Sequence, residues 1–211
     1  MAYKSFTSVQ FEELKEIKPW VFLDTLIEFY FGEDTPLILD TTVNKGRIWG
    51  NDKTGKSKYK YTGMDIDPSV NPDIVGDHTN MPFPDNSWDI LVYDPPHCGD
   101  QGRSKTEFAQ KYGTGVKSIS GSLAHTYPDF LREAKRVLKP GGFLLVKLID
   151  YTHSGKFIFA TSDFYTEAKN HGFELMGMNI LPRKGVITDT KWKKAYHPRQ
   201  NHSTWMAFKK G

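Results

Sequence analysis

The chain has 211 residues, 38% of them hydrophobic and 14% aromatic, which is enough for one substantial core. The formal net charge is only +3, and no stretch approaches the roughly eighteen apolar residues of a bilayer-spanning helix, which excludes a protein embedded through such helices. Cys98 is the only cysteine, which excludes an intrachain disulfide and a thiolate metal cluster, and we expect no metal centre.

The first 32 residues predict a helical segment ahead of the main domain. They lack the apolar core of a signal peptide, so we expect a soluble, cytoplasmic protein without a membrane partner. Thr7 and Gln10 have the spacing of a capping box at a helix start. Pro19 interrupts the helical pattern, and a second helical run follows it to about Gly32. We expect the main domain to occupy residues 33–211.

Short apolar runs alternate with helical patterns along the main domain. The run LILD at residues 37–40 suits a strand that is covered on both faces. Further strands are predicted at residues 60–67, 88–94, 142–150, 173–180 and 203–210, and helices at 128–142 and 162–172. The alternation predicts a single-domain α/β fold with a doubly wound, mostly parallel sheet. Ligands bind such sheets beyond the carboxyl ends of the strands.

Residues 98–122 form a long stretch of different composition. They include five glycines, several Ser, Thr and Lys residues, and only scattered apolar side chains. Loops of this length are uncommon unless they have a function. We interpret the stretch as a flexible lid that orders over a substrate, with a plain surface loop as the alternative.

Polar residues that suit a nucleotide-type ligand follow the first two predicted strands. After the first strand come Asp40, Asn44 and Gly46, where a tight turn would bring the backbone close to a ligand. Asparagine visits positive φ more readily than other non-glycine residues. Asp65 and Asp67 end the second strand, where a carboxylate can accept both hydroxyls of a ribose. Roles as helix caps or turn residues are the alternative for these carboxylates.

In this order the residues resemble the class I methyltransferases that depend on S-adenosylmethionine. The resemblance covers about residues 37 to 208 and implies a Rossmann-like, seven-stranded sheet with S-adenosylmethionine as the cofactor. Asp65 is similar to the family's ribose-binding acid, and Asp77 to the residue that contacts the adenine amine. The cofactor-binding residues implied by position are Asp40, Thr41, Asn44, Gly46, Asp65, Ile66, Asp77 and His78.

The segment Asp94-Pro95-Pro96-His97 resembles the Asp-Pro-Pro-Tyr motif of amino-methyltransferases, which methylate the exocyclic amine of adenine or cytosine. Such an amine is a poor nucleophile, because its lone pair is delocalised into the ring. Asp94 can accept one N–H bond from it and the Pro95 carbonyl a second, while Pro95 and Pro96 hold the turn rigid. His97 stands where the family usually carries a flat aromatic residue, and imidazole can also stack on an extruded base.

Cys98 suggests a different enzyme. Cytosine carbon methyltransferases attack the ring with a cysteine that follows a proline in the same loop. In this chain His97 displaces the cysteine by one residue and an amine-type Asp94 is present, so we rank this alternative lower.

Basic residues concentrate in three segments. Residues 45–60 and 183–199 each hold six lysines or arginines against one aspartate, and residues 98–122 hold four against two acids. Such blocks are usually solvated surface, but on one rim they would form a patch that attracts phosphate. The candidate substrate-binding residues are Arg103, Lys105, Lys111, Arg199, Asn201 and His202.

The hypothesis that follows is methyl transfer to a nucleic-acid base, with DNA adenine favoured over cytosine. An enzyme acting on ribosomal or transfer RNA is the first alternative, and a catalytically degenerate subunit that binds nucleic acid is the second. A chain of this size leaves no room for a separate target-recognition domain. Target recognition would then come from loops, from a partner subunit, or from folded RNA.

Overall fold

The computed structural model describes residues 18–32, 34–50, 56–96, 124–153, 156–182 and 200–211. Within these ranges the α-helices are α1 (Pro19–Phe31), α2 (Tyr127–Val137) and α3 (Ala160–Asn170). The strands are β1 (Ile38–Asp40), β2 (Thr62–Asp65), β3 (Ile74–Val75), β4 (Trp88–Tyr93), β5 (Leu138–Leu148), β6 (Tyr151–His153), β7 (Lys156–Ile158), β8 (Phe173–Pro182) and β9 (His202–Lys210). The predicted capping box at Thr7 lies outside the described residues.

Seven of these strands form one sheet in the order β3-β2-β1-β4-β5-β9-β8. The neighbours from β3 to β5 pair in parallel, whereas β9 runs antiparallel to both β5 and β8. The predicted α/β fold with a mostly parallel sheet is confirmed. Within the described ranges, strands β6 and β7 pair with each other alone, as a hairpin outside the main sheet. None of the helices that the structure describes has the length and apolar character to cross a bilayer.

Both faces of the sheet are covered, which explains the unbroken apolar runs of its central strands. Along β4, Ile90 and Val92 point into a core shared with helix α1. Leu91 and Tyr93 point into the opposite core, shared with helices α2 and α3. Fully buried phenylalanines anchor these helices, and removing one such ring typically costs about 3–5 kcal/mol of stability.

Helix α2 passes directly into β5, and the first part of β5 contains a bulge opposite β4. The helix ends at Val137, earlier than the predicted stop at residues 140–142, and β5 begins at once. Gly141 has a φ of 74°, and a side chain at Gly142 would lie 2.9 Å from the Asp89 carbonyl oxygen. The bulge therefore needs its two glycines, and across it the register of β5 against β4 shifts between the Trp88–Leu138 pair and the Ile90–Phe143 pair.

Candidate active site

Carboxylates from several strands meet at one edge of the sheet. Asp40 and Asp65 are the last residues of β1 and β2, and Asp94 directly follows β4. Asp40 lies between Gly63 of β2 and Val92 of β4 in the ladder, so neighbouring carboxylates stand on strands about 4.8 Å apart. The structure therefore brings these predicted carboxylates to one edge of the sheet. Asp150, which follows β5, joins the same edge and was not predicted.

The turn after β1 has the tight backbone that the sequence predicts. Asn44 has a φ of 48° and Gly46 a φ of 64°, both in the left-handed region. The Val43 N–H donates to the Met64 carbonyl at 3.0 Å, and the Asn44 N–H donates to Asp65 Oδ2 at 2.8 Å. The turn is thus tied to the end of β2, and its backbone lies beside the Asp65 carboxylate.

Asp40 and Thr41, two of the predicted cofactor-binding residues, are buried in the base of this turn. Asp40 Oδ1 accepts the Thr42 N–H at 3.0 Å, and Oδ2 accepts the Trp49 indole N–H at 2.6 Å. Thr41 donates from its backbone and its hydroxyl to the Val92 carbonyl. In this structure both residues position the turn. Burial raises the pKa of the Asp40 carboxyl from 3.8 to about 7, with Asp94 and Asp65 adding repulsion.

The pKa of Asp40 predicts pH-dependent stability. Between pH 4 and 7 the folded protein holds a proton on Asp40 that the unfolded chain has released. The contribution of this proton to the free energy of unfolding is therefore full below about pH 4 and is lost as pH rises to about 7. The upper limit is about 4 kcal/mol, since one pKa unit is worth about 1.4 kcal/mol. Urea unfolding at pH 5 and 7.5 measures it.

The measurement needs a test variant, Asp40→Asn, and a matched control, Asp34→Asn, each of which replaces a carboxyl group by a neutral amide. Asp40→Asn carries no titrating proton, so its stability should depend less on pH than that of the wild type, whereas Asp34→Asn, at an exposed position, should retain the wild-type dependence. Equal pH dependence in Asp40→Asn and the wild type would contradict the assignment.

Asp65 is presented at the mouth of the sheet. Its two oxygens accept the Asn44 N–H at 2.8 Å and the Asp67 N–H at 3.0 Å. A carboxylate offers about four acceptor sites, so two hydroxyls can still be bound. Ile66, next in the chain, is 48% exposed and adds an apolar surface. These residues fit the ribose and base of an adenosyl cofactor.

Asp77 and His78, which follow β3, differ in their surroundings. Asp77 Oδ1 accepts both the N–H and the hydroxyl of Thr79 at 2.8 Å, and the side chain is half-exposed. The His78 ring packs against Tyr93 and Phe130, with centroid distances of 5.5 and 5.6 Å. Burial lowers the pKa of His78, and its Nε2 has no hydrogen-bond partner within the described residues. The His78 ring therefore packs in the core beside these strand ends, and its role in cofactor binding stays a prediction.

Asp94 is held by contacts on two sides. Its N–H donates to Thr42 Oγ1 at 3.0 Å, which ties the end of β4 to the first turn. Its Oδ2 accepts the Lys147 ammonium at 2.8 Å. In the described part of the chain, Oδ1 accepts no hydrogen bond. Pro95 is buried and Pro96 half-buried directly after it, and His97 lies outside the described residues.

Lys147 is the site residue that sequence reasoning missed. It lies on β5 beside Asp94, and its side chain is 16% exposed against 17% for Asp94. Its Nζ lies 6.0 Å from the centre of the Trp205 ring. The available signal was one lysine inside the apolar run FLLVKLI, since a cation in a buried strand is rare unless it is paired.

The predicted substrate-binding residues are only partly described. His202 begins β9, two residues beyond the Leu148–Thr204 pair that ends β5, so His202 and the preceding Asn201 lie at the carboxyl edge. Outside the described residues are Arg103, Lys105, Lys111, Cys98, Arg199, the predicted lid 98–122 and the basic segment 183–199.

The basic segment 45–60 is divided between the two edges of the sheet. Lys45 and Arg47 belong to the turn at the carboxyl end of β1. Lys58 instead pairs with Glu28 of α1 at 2.9 Å, ahead of the start of β2. Only part of this block can therefore contribute to a charged rim around the site.

No protein-family model matches the sequence, and no curated protein matches it. Solved structures do match. TrmN from Thermus thermophilus has a TM-score of 0.56 at 18% identity, covering 92% of this chain and 49% of its own. The 1,6-didemethyltoxoflavin-N1-methyltransferase of Burkholderia thailandensis, with bound S-adenosylhomocysteine, gives 0.54 at 11% identity and coverages of 91% and 78%. A SAM-dependent methyltransferase from Methanosarcina mazei gives 0.52 at 14% identity and coverages of 88% and 96%.

These similarities establish the fold. The chain has the Rossmann-like fold of the class I methyltransferases, which confirms the architecture implied by the sequence resemblance. It spans about half the length of TrmN. Function is a separate question, because one fold hosts many activities and the site decides among them.

Proposed function

We propose that the protein transfers a methyl group from S-adenosylmethionine to the exocyclic amine of a nucleic-acid base. The observation that carries the proposal is the position of Asp94 at the carboxyl end of the central strand β4, with Pro95 and Pro96 after it. One oxygen of Asp94 is held by Lys147, and the other accepts no hydrogen bond from the described residues. The methyltransferases among the fold neighbours support the reaction class.

The carboxyl edge provides the cofactor-binding residues. Asp65 would bind the ribose hydroxyls, Ile66 would cover one face of the adenine, and Asp77 would approach the adenine amine. The turn at Asn44 and Gly46 would bring the backbone against the remainder of the cofactor. When bound, the cofactor supplies an electrophilic methyl group on a sulfonium.

Replacing Asp65 by alanine should weaken S-adenosylmethionine binding about 100-fold or more. The reason is the loss of hydrogen bonds from two hydroxyls to a charged acceptor, each worth about 1.5 kcal/mol or more. Isothermal titration calorimetry with S-adenosylmethionine or S-adenosylhomocysteine measures the change.

Asp67→Ala is the matched control for Asp65. Asp67 is also a strand-end carboxylate, but its Oδ1 accepts the Ser69 N–H and the side chain caps a 3-10 turn. Its removal should change cofactor affinity less than threefold. Equal losses in the two variants would contradict the assignment of the ribose site to Asp65.

Asp94 and the prolines would activate the amine. Asp94 Oδ1 would accept one N–H of the target amine and the Pro95 carbonyl the second, which draws the nitrogen towards tetrahedral geometry. No strong base is needed, because the positive charge that arrives with the methyl group is stabilised by the carboxylate and then leaves as a proton. His97 would stack on the target base.

The favoured substrate is adenine in DNA, with cytosine next and an RNA base as the alternative. Lys45 and Arg47 at the carboxyl edge, together with the basic segments outside the described residues, would meet the phosphate backbone. A partner subunit for target recognition and a cytoplasmic location belong to the same proposal.

The test is incorporation of a labelled methyl group into DNA or total RNA, followed by digestion to nucleosides. N6-methyladenine or N4-methylcytosine that disappears in Asp94→Ala supports the proposal. A C5-methylcytosine product that requires Cys98 would assign the chain to the carbon methyltransferases instead. Binding of cofactor and nucleic acid without any transfer would favour the degenerate subunit.

A further inference from the structure

The β6–β7 hairpin extends the site beyond the sheet. It begins at Tyr151, directly after Asp150 at the end of β5. Tyr151 pairs with Ile158 and Thr152 with Phe157. Because side chains alternate along a strand, Tyr151 and Ile158 share one face, and both are half-buried there. Thr152 and Phe157 share the other face and are exposed.

Phe159 directly follows β7 and is two residues beyond Phe157, so its side chain lies on the same side of the chain. Together the two rings form an exposed aromatic pair. Phe157 is 54% exposed and Phe159 is 55% exposed. Their ring centroids lie 5.9 Å apart at an interplanar angle of 61°. At this angle the rings do not stack on each other, so each leaves a face that a flat ligand can cover. A single exposed apolar residue needs no explanation, but a pair of rings beside a site indicates binding.

The length of the connecting chain limits the distance between the aromatic pair and the proposed reaction centre. Lys147, which pairs with Asp94, precedes Thr152 by five residues on the continuous segment from β5 into β6. Five residues span at most about 17 Å, and Phe157 is one strand spacing of about 5 Å further across the hairpin. A substrate strand with its target base at Asp94 would therefore reach the pair within a few nucleotides.

The hairpin segment itself carries a positive charge and no acid. Between residues 151 and 159 Lys156 is the only charged side chain with histidine counted as neutral, and there is no carboxylate. Two acids flank this stretch. Asp150 accepts the Thr161 N–H at 2.9 Å and also the Thr161 hydroxyl. Asp163 is an exposed carboxylate in the first turn of α3, and its N–H donates to the Phe159 carbonyl at 3.0 Å. Lys156 is exposed at the tip of the hairpin, where an ammonium can meet a phosphate.

We propose that Phe157 and Phe159 stack on unpaired bases that flank the target base, with Lys156 contacting the backbone. The inference rests on the proposed function for its substrate class. Aromatic side chains stack on every base, so the contact holds a single strand, or the locally opened part of a duplex, with little sequence preference. The two possible sources of such bases are DNA and RNA.

The experiment measures the affinity of the protein for fluorescein-labelled single-stranded DNA and RNA oligonucleotides by polarisation. We expect Phe157→Ala and Phe159→Ala each to weaken binding about tenfold. Phe157→Trp should bind at least as well as the wild type. Phe157→Leu, which is apolar but not flat, should be as weak as the alanine variant.

Phe29→Ala is the matched control. Phe29 is 46% exposed in α1, beside the Glu28 that pairs with Lys58 ahead of β2, and is thus at the opposite edge of the sheet. This variant should bind oligonucleotides within twofold of the wild type. All variants should keep the wild-type affinity for S-adenosylmethionine, which verifies that the fold is intact.

The results distinguish this inference from the proposed function. Asp94→Ala should lose methyl transfer but keep oligonucleotide affinity. Methylation of nucleic acid with unchanged affinity and KM in the phenylalanine variants would overturn the stacking role alone. Binding that depends on Phe157 without any methyl transfer would overturn the proposed function alone. Equal binding by Phe157→Leu and the wild type would show a general apolar contact, such as one with a protein partner, and would also overturn the inference.

Discussion

Replacing Asp94 by alanine is expected to lower kcat for methyl transfer by about a hundred- to thousandfold, without changing the affinity for S-adenosylmethionine. This is the typical effect of removing one preorganised group that stabilises charge in the transition state. Among the described residues the carboxylate makes no hydrogen bond to Asp65 or to the turn after β1, which bonds only the backbone N–H of Asp94. Cofactor binding should therefore survive. Single-turnover transfer of a labelled methyl group, with calorimetry of cofactor binding, measures both quantities.

The control for Asp94 lies at the other end of the same strand. Asp89 of β4 pairs with Lys139 of β5 at 2.8 Å, so it has the same chemistry and the same two strands but faces the amino edge. Asp89→Ala should lower stability and leave kcat within threefold at a temperature where the protein is folded. A comparable loss of kcat in both variants would mean that the effect of Asp94 is structural, and the amine-binding role would be wrong.

The parts of the fold that were predicted correctly are those in which local sequence and tertiary burial agree. Strands β4 and β5 are covered on both faces, so their apolar runs are visible in the sequence. Strand β3 was missed because it has only two residues, Ile74 and Val75. The β6–β7 hairpin was missed because its short strands mix polar and aromatic residues, and its exposed face gives no burial pattern.

The site was predictable where it depends on strand ends and not where it depends on register. The carboxylates at Asp65 and Asp94 follow apolar runs, and a parallel sheet must bring such ends to one edge. The bond from Trp49 to Asp40 depends on how the chain turns after β1, so the burial of Asp40 in that turn was not visible in the sequence. The partner of Asp94 depends on the alignment of β4 with β5, in which Tyr93 stands opposite Val146.

Register is also what makes Lys147 informative. With Tyr93 opposite Val146, the next residues are Asp94 and Lys147, and their side chains meet at 2.8 Å. The ammonium occupies Oδ2 and thereby turns Oδ1 away from Lys147. An amine at Oδ1 would then meet an acceptor of fixed orientation, which is the preorganisation that the reaction requires. On the proposed function, Lys147 would therefore position Asp94.

The double variant Asp94→Asn/Lys147→Met is expected to be more active than Asp94→Asn alone. An asparagine has one acceptor oxygen, and with Lys147 present that oxygen would face the ammonium and leave the side-chain NH2 towards the substrate amine. Two donors would then oppose each other, so Asp94→Asn should be as inactive as Asp94→Ala. With methionine at 147 the amide can reverse, present its oxygen to the substrate and restore about tenfold in kcat.

The single variant at residue 147 shows whether Lys147 acts on catalysis or only on the stability of the fold. Lys147→Met alone leaves a half-buried carboxylate without its cation, and we expect a stability loss of about 1–3 kcal/mol with a kcat about tenfold below that of the wild type. Lys139→Met removes the equivalent cation at the amino edge, so it should lower stability with little change in kcat. The role of Lys147 would be wrong if Asp94→Asn and Asp94→Asn/Lys147→Met had the same kcat. The ion pair would then serve only to join β4 to β5.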